Sequence, residues 1–229
     1  ARDRAAHAYI RAGRRAAKEY FAFEEARRYL QAALSLADEL DDDVLRRDAI
    51  GHIGEAYARN AQHTEAEQHL KRAIALAVAS GDEKAEASFS LALGHTLAAG
   101  GNRDDARALL NRARSIIVRA GDQILIAEFH KDEGLIEFML KDLEAAVAAT
   151  ERAIAIGAAH DLHYLCAVCA HNIGDVWLRE GKLDEAKARL TESLRIAEAH
   201  GFDKLQHLNA AFLACIDILR TQTDTAVPQ

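Results

Sequence analysis

Proline is nearly missing from this sequence: the one it has stands at position 228, beyond the last patterned segment. Nothing therefore blocks long helices before that point. β-Branched runs are scarce, which takes away the usual material of strands, while Ala, Leu, Arg and Glu dominate. Three cysteines, an odd number in 229 residues, make no disulfide framework and fit a reducing, cytoplasmic setting. No apolar run approaches the length of a membrane span, and no signal peptide opens the chain. A basic excess is lacking too. The net charge is −7, which argues against general nucleic-acid affinity. An initiating Met is absent, and the chain starts inside a helical pattern, as a fragment or a processed protein would. Half of the residues are apolar and 28% are charged, so the chain is not disordered.

What the sequence does have is a ruler. Gly54, Gly94, Gly134 and Gly174 stand forty residues apart, and so do Ala26, Ala66, Ala106, Ala146 and Ala186. Aligned on these positions, five copies follow one another, the first degenerate and beginning near Ile10. Internal repeats of this length point to stacked supersecondary units. Each copy holds two helical patterns. Ile50, Ile53, Gly54 and Tyr57 fall on one helix face, and Ala66, Leu70, Ala73, Ile74 and Ala77 on a second. Short polar turns separate them. Between copies stand Gly81-Asp82, Gly121-Asp122 and Gly201-Phe202-Asp203, a left-handed helix end followed by a cap for the next helix.

The spacing predicts helices near 4–19, 23–40, 44–60, 63–80, 83–99, 103–120, 123–140, 143–159, 163–180, 183–200 and 203–220. A mid-helix Gly costs roughly 1 kcal/mol relative to Ala. Its recurrence at one phase therefore implies close backbone approach, with Gly54 expected against Ala66. One helix pair cannot bury both its faces, so the pairs must stack. The expected fold is all-α, a right-handed superhelical solenoid of antiparallel helix pairs. Its repeats span about 4–42, 43–82, 83–122, 123–162 and 163–202. A capping helix follows at 203–220, completing a single domain over 1–220, with a disordered tail at 221–229.

The series Asn172-Ile-Gly, Trp177, Gly181-Lys-Leu-Asp-Glu-Ala186, Leu190, Ser193 resembles the tetratricopeptide repeat, and the likeness covers about 5–200. The usual period of that family is ~34 residues. The longer copies here are similar to its long-helix branch, found in scaffold proteins and in sensor regions of bacterial multidomain regulators. There are departures. The first copy has Arg14 where the others have Gly, with Gly13 one residue early, and the fourth has Glu133 and Glu137 at apolar positions.

The resemblance implies that the first helix of each pair lines a concave groove. By the 100° step, the groove residues are Arg11, Arg15 and Lys18, then Glu55, then Leu91 and His95. Lys131, Leu135 and Phe138 follow, then His171, Asp175 and Leu178. The groove is expected to be basic at its start, where residues 1–37 carry eight Arg or Lys against four acids, and mixed apolar beyond. His95 and His171 could face it together and help hold an anionic group, but ordinary surface or helix-end histidines are the expected reading. The last helix carries a wide apolar arc. Leu208, Ala211, Cys215 and Ile218 are the expected oligomer interface, giving a two-fold dimer.

His163, Cys166, Cys169 and His171 form a metal-like spacing, but a straight helix cannot converge all four on one ion. The expected role of the cysteines is apolar packing. Asp41-Asp42-Asp43 lies at an inter-repeat turn and is read as capping rather than as a calcium loop. No phosphate-cradling loop, nucleophile elbow or H-E-x-x-H is present. No catalytic residue, metal or cofactor is expected. The expected function is a protein- or peptide-binding module without chemistry, for a partner with an acidic segment and an apolar anchor. A sensing region of a bacterial nucleotide cyclase or transcription regulator is the alternative, and structural self-assembly a further one.

Overall fold

The computed structural model describes residues 2–19 and 22–225, without the side chains of 18, 19 and 222–225. Among the described residues there are helices and turns and no strand. The helices are α1 (Arg2–Glu19), α2 (Phe23–Leu40), α3 (Asp43–Arg59), α4 (His63–Ser80), α5 (Glu83–Ala99) and α6 (Arg103–Ala120). They continue as α7 (Gln123–Met139), α8 (Leu143–Ala159), α9 (His163–Arg179), α10 (Leu183–His200) and α11 (Asp203–Thr225). The expected ends hold within two residues except at the last helix. It runs on to Thr225, through five residues assigned to the tail; the remainder of that tail, 226–229, lies outside the described residues.

The ends are set by backbone chemistry repeated along the chain. Left-handed residues recur at Asp41, Gly81, Gly121, Asp161 and Gly201, and again at Ala61, Gly101, Lys141 and Gly181. After each such residue except Gly121 the next N–H reaches back to the helix carbonyl, as Asp82 does to Ala77 at 2.9 Å and Lys182 to Trp177 at 2.9 Å. That closure satisfies carbonyls a helix end leaves open. The Asp residues then start the next helix. Asp42 accepts from the N–H groups of Val44 and Leu45, and Asp122 from those of Ile124 and Leu125.

The helices gather into two compact units, Ala1–Ala120 and Gly121–Gln229. The ruler runs unbroken through Gly121 and gives no sign of this division. The first unit stacks the pairs α1/α2, α3/α4 and α5/α6, with α3 also meeting α1 and α5. In the second, α7/α8 and α9/α10 are the pairs, α11 packs on α10, and α9 meets both α7 and α11. The alanine column of the ruler is the core of every pair: Ala26, Ala66, Ala106, Ala146 and Ala186 are at most 1% exposed.

The glycines meet the facing helix at the residue four beyond its alanine, a leucine at Leu30, Leu70 and Leu190 and Thr150 in the fourth copy. The expected close approach of the helices of Gly54 and Ala66 is present: a Cβ on Gly54 would meet Leu70, at its side chain and its backbone nitrogen, and one on Gly174 would stand 2.6 Å from Leu190 Cγ and 3.4 Å from the Ala186 carbonyl. In the first copy Gly13, not position 14, makes this approach, against Leu30 and the Ala26 carbonyl. The register thus slips by one residue in α1, which turns Arg14 outward to solvent. Glu133 and Glu137 are buried at their apolar positions. Glu133 remains tolerable there because His130 and Arg152 pair with it at 2.7 and 3.2 Å, as a buried charge requires.

Candidate functional site

In the first unit the first helices of the pairs, α1, α3 and α5, carry the expected residues of the N-terminal half. Arg11 and Arg15 are exposed; Lys18 lies outside the described side chains. Glu55 is half-buried. Burial works against its charge, but the hydrogen bond with His52 (3.0 Å) and the nearby Arg14 and Arg59 outweigh it and hold the carboxyl below its ordinary value. The slip in α1 therefore supplies Arg14, which the ruler had placed in the packing face. Leu91 does not line a surface as expected: it is 8% exposed. His95 is half-buried.

The corresponding face of the second unit belongs to α7, α9 and α11. Lys131 is half-buried; burial lowers its pKa, but Asp132 and Glu128 outweigh this and raise it. His171 is withdrawn from any groove. Its ring is 9% exposed, bonds Asn209 Oδ1 at 2.8 Å and meets the ring of Phe212 edge-on. Asn209 donates in turn to Ser193 Oγ, which donates to the Ala167 carbonyl, both at 2.7 Å. This buried chain joins α9, α10 and α11, and it occupies the imidazole that could otherwise have helped hold an anion.

Beside it lies a small cleft of about 50 Å³, lined by Gly134, Leu135, Phe138, Ala146, Thr150, Asn172, Asp175 and Val176. Its origin is a single break in the ruler. Position 150 holds Thr, where positions 30, 70, 110 and 190 hold Leu. The Thr150 side chain lies against Gly134 and lacks the bulk of a leucine, and its hydroxyl donates to the Ala146 carbonyl at 2.7 Å. Leu135 is 38% exposed at the rim and Phe138 is half-buried.

Two cations cover the Phe138 ring, Arg179 at 5.2 Å and Lys141 at 5.9 Å, a favourable arrangement with the ring face. Arg179 also donates from Nε to both oxygens of Asp175 at 3.1 Å. Lys182 stands over Trp177 at 4.3 Å. Asn172, absent from the expected set, lines the cleft with no hydrogen-bond partner for its amide among the described residues. Only its place in the cleft distinguishes it.

On α11 the expected interface residues are on the surface. Leu208 is 42% and Ile218 59% exposed, and Ala211 and Cys215 are exposed as well. Leu205, Asn209 and Ile216 form the buried side. Leu178 packs with Phe212 and Leu213 around Ile216.

The residues with metal-like spacing engage four separate neighbourhoods. His163 stacks on His200 at 3.9 Å, Cys166 reaches the Ile154 carbonyl at 3.7 Å, and His171 holds Asn209. Cys169 packs with Ala127, Ala153 and Leu165, and burial pushes its thiol up to about 12. A thiol so shifted is a poor nucleophile at neutral pH.

No protein-family model matches the sequence, and no curated protein matches it. Solved structures do. A Rap protein complexed with competence and sporulation factor superposes with a TM-score of 0.78 at 16% identity, over 94% of this chain and 64% of that one. A signal-transduction ATPase with numerous domains and a tetratricopeptide repeat sensor, from Pyrococcus horikoshii, superposes with 0.67 at 18% identity, over 94% and 33%. Kinesin light chain repeats of tetratricopeptide type from Podosopora anserina give 0.63 at 17% identity, over 83% and 93%. The chain thus spans less than two thirds of the Rap protein and a third of the ATPase. At these identities the likeness is one of fold, and it agrees with the ruler: the chain is a repeat protein of the tetratricopeptide fold.

Proposed function

We propose that this chain is a non-catalytic binding module whose second unit holds a peptide segment of a partner protein against α7 and α9. One observation carries the reading. The cleft made by Thr150 offers apolar walls in Leu135, Phe138 and Val176 and one amide, Asn172, without an internal partner. A pocket of that kind suits one apolar side chain, and an amide can bond both groups of a peptide backbone. The likeness to a Rap protein complexed with a factor, and to a sensor built of such repeats, supports the reading.

In the first unit, exposed Arg11, Arg14 and Arg15 form a basic surface suited to an acidic segment of the same partner. Its contribution is expected to be long-range and sensitive to salt.

Selection of a displayed random peptide library on the purified chain tests the proposal. Enriched peptides are expected to bind the chain and to lose at least about tenfold in affinity with Phe138→Ala, as an anchor residue would. Enriched peptides that bind Phe138→Ala unchanged would overturn it.

A further inference from the structure

We infer that α11 is the seam of a two-fold dimer, in which it lies antiparallel to α11 of a second copy of this chain, with Leu208 against Ile218 and Ala211 against Cys215.

Among the described residues α11 is the one first helix of a pair with no second helix packed on it: it packs on α10 and touches α9. Those contacts occupy one side. Leu205, Asn209 and Ile216 are buried there, and Phe212 and Leu213 pack around Ile216. The charges of its second half reach back to α10 as well. Asp217 accepts from Lys187 at 2.9 Å, and Arg220 donates to Asp184.

The other side is open and apolar. Leu208 is 42% and Ile218 59% exposed, with Ala211 and Cys215 exposed between them. By the 100° step these four fall within an arc of about 80°. Asp217 is the only charged residue between Leu208 and Ile218. The four are spaced by 3, 4 and 3 residues, which is the seam of two helices packed side by side with knobs into holes.

The strip is complementary to itself. The spacing reads the same from either end, and so does the order of sizes: large, small, small, large. An antiparallel copy therefore brings Leu208 to Ile218 and Ala211 to Cys215, and each contact recurs in reverse, as a two-fold axis requires. The small residues meet at the axis, where the backbones come closest, and the large ones close the two ends. A second copy has no other open helix to offer, since the alanine column is buried within each pair from α1/α2 to α9/α10.

Charge sets the direction. Lys204 is exposed on the same face and has no ion-pair partner among the described residues. In the antiparallel arrangement it comes beside position 222 of the second copy, in the last turn of α11, where open carbonyls favour a cation. A parallel arrangement would set two Lys204 ammonium groups side by side and align the helix dipoles. The strip is about 15 Å long at ~1.5 Å per residue. An interface of that length belongs to the small class, below about 1,200 Å², and reversible association is expected.

Sedimentation of the whole chain from low to hundreds of micromolar concentration should show a monomer–dimer equilibrium. Leu208→Glu with Ile218→Glu should weaken it at least about tenfold by placing charges in the seam. Circular dichroism should stay unchanged, since both side chains are exposed in the single chain. Thiol cross-linking in air with a copper–phenanthroline catalyst reads the direction. Ala211→Cys should give a covalent dimer in high yield, because the introduced thiol faces Cys215 of the second copy, and adding Cys215→Ser should remove it. The parent chain should cross-link poorly: its two Cys215 thiols stand about one turn apart across the axis, and Cys166 and Cys169 are buried. A chain that stays monomeric at hundreds of micromolar, or a dimer indifferent to the two Glu substitutions, would overturn the inference. So would a parent chain that cross-links through Cys215 as readily as the Ala211→Cys variant does.

Discussion

Thr150 packs over Gly134 in the place where Leu190 packs over Gly174. The substitution of a small polar residue for a large apolar one opens the cleft at the point where the two second-unit repeats meet. Restoring the rule should narrow it. Thr150→Leu is expected to fill part of the cleft and to change stability by less than about 1 kcal/mol, because a cleft open to water lacks the gain of filling a closed core cavity. The same variant should lose ligand affinity. Thermal melts and a titration with a selected peptide check both halves.

The glycine column is expected to be intolerant for a steric reason. Gly174→Leu should destabilise the chain by about 1–3 kcal/mol, because its Cβ alone would stand 2.6 Å from Leu190 Cγ. Urea unfolding measures this. Stability equal to that of the parent chain would refute the close approach.

Much of the fold was legible because a repeated close contact needs a repeated small residue. Ala26 to Ala186 and the glycines record each helix pair directly. The division after Ala120 was not legible, since the same letters continue across it. Neither was the burial of Leu91 and His171: a helical phase gives a direction from the axis but does not say which neighbouring helix covers it. For His171 that neighbour is α11, which brings Asn209 and Phe212. The slip in α1 hid Arg14, and the cleft is written only as a break in the leucine column at Thr150. Asn172 carries no pattern at all.

The backbone shape of four turn residues, Asp41, Ala61, Lys141 and Asp161, was likewise not legible, because they hold glycine's conformation without being glycine. Ala61 has φ of 56° and Lys141 of 62°, at the places of Gly101 and Gly181. The left-handed region costs a non-glycine residue roughly 1 kcal/mol. Ala61→Gly is therefore expected to stabilise by about 0.5 kcal/mol, part of the relief being offset by the entropy of the unfolded chain. Chemical denaturation of the two proteins side by side checks the sign.

Asp82 gives a dependence on pH. Its carboxylate accepts the Ala85 N–H at 3.0 Å and pairs with Arg47, 4% exposed, at 2.8 Å. The backbone bond first, and then Arg47, hold the carboxyl below its ordinary 3.8. Because the folded value is depressed, the stabilisation is complete above the unfolded value and is lost as pH falls through the folded one. Asp82→Ala should cost about 1–2 kcal/mol at neutral pH, and the gap from the parent chain should narrow below pH 3.8. A gap that stays constant to the acid limit would contradict this role.

The central claim, that a peptide lies on α7 and α9 beside the Thr150 cleft, is tested most directly by an amide NMR titration of the whole chain with a library-selected peptide. The account predicts that the side-chain amide of Asn172 shifts in step with the backbone signals of Leu135, Phe138 and Leu178, and that all of them stop moving in Phe138→Ala. Saturable binding that leaves the Asn172 amide and Phe138 unmoved, with shifts confined to other helices, would contradict it.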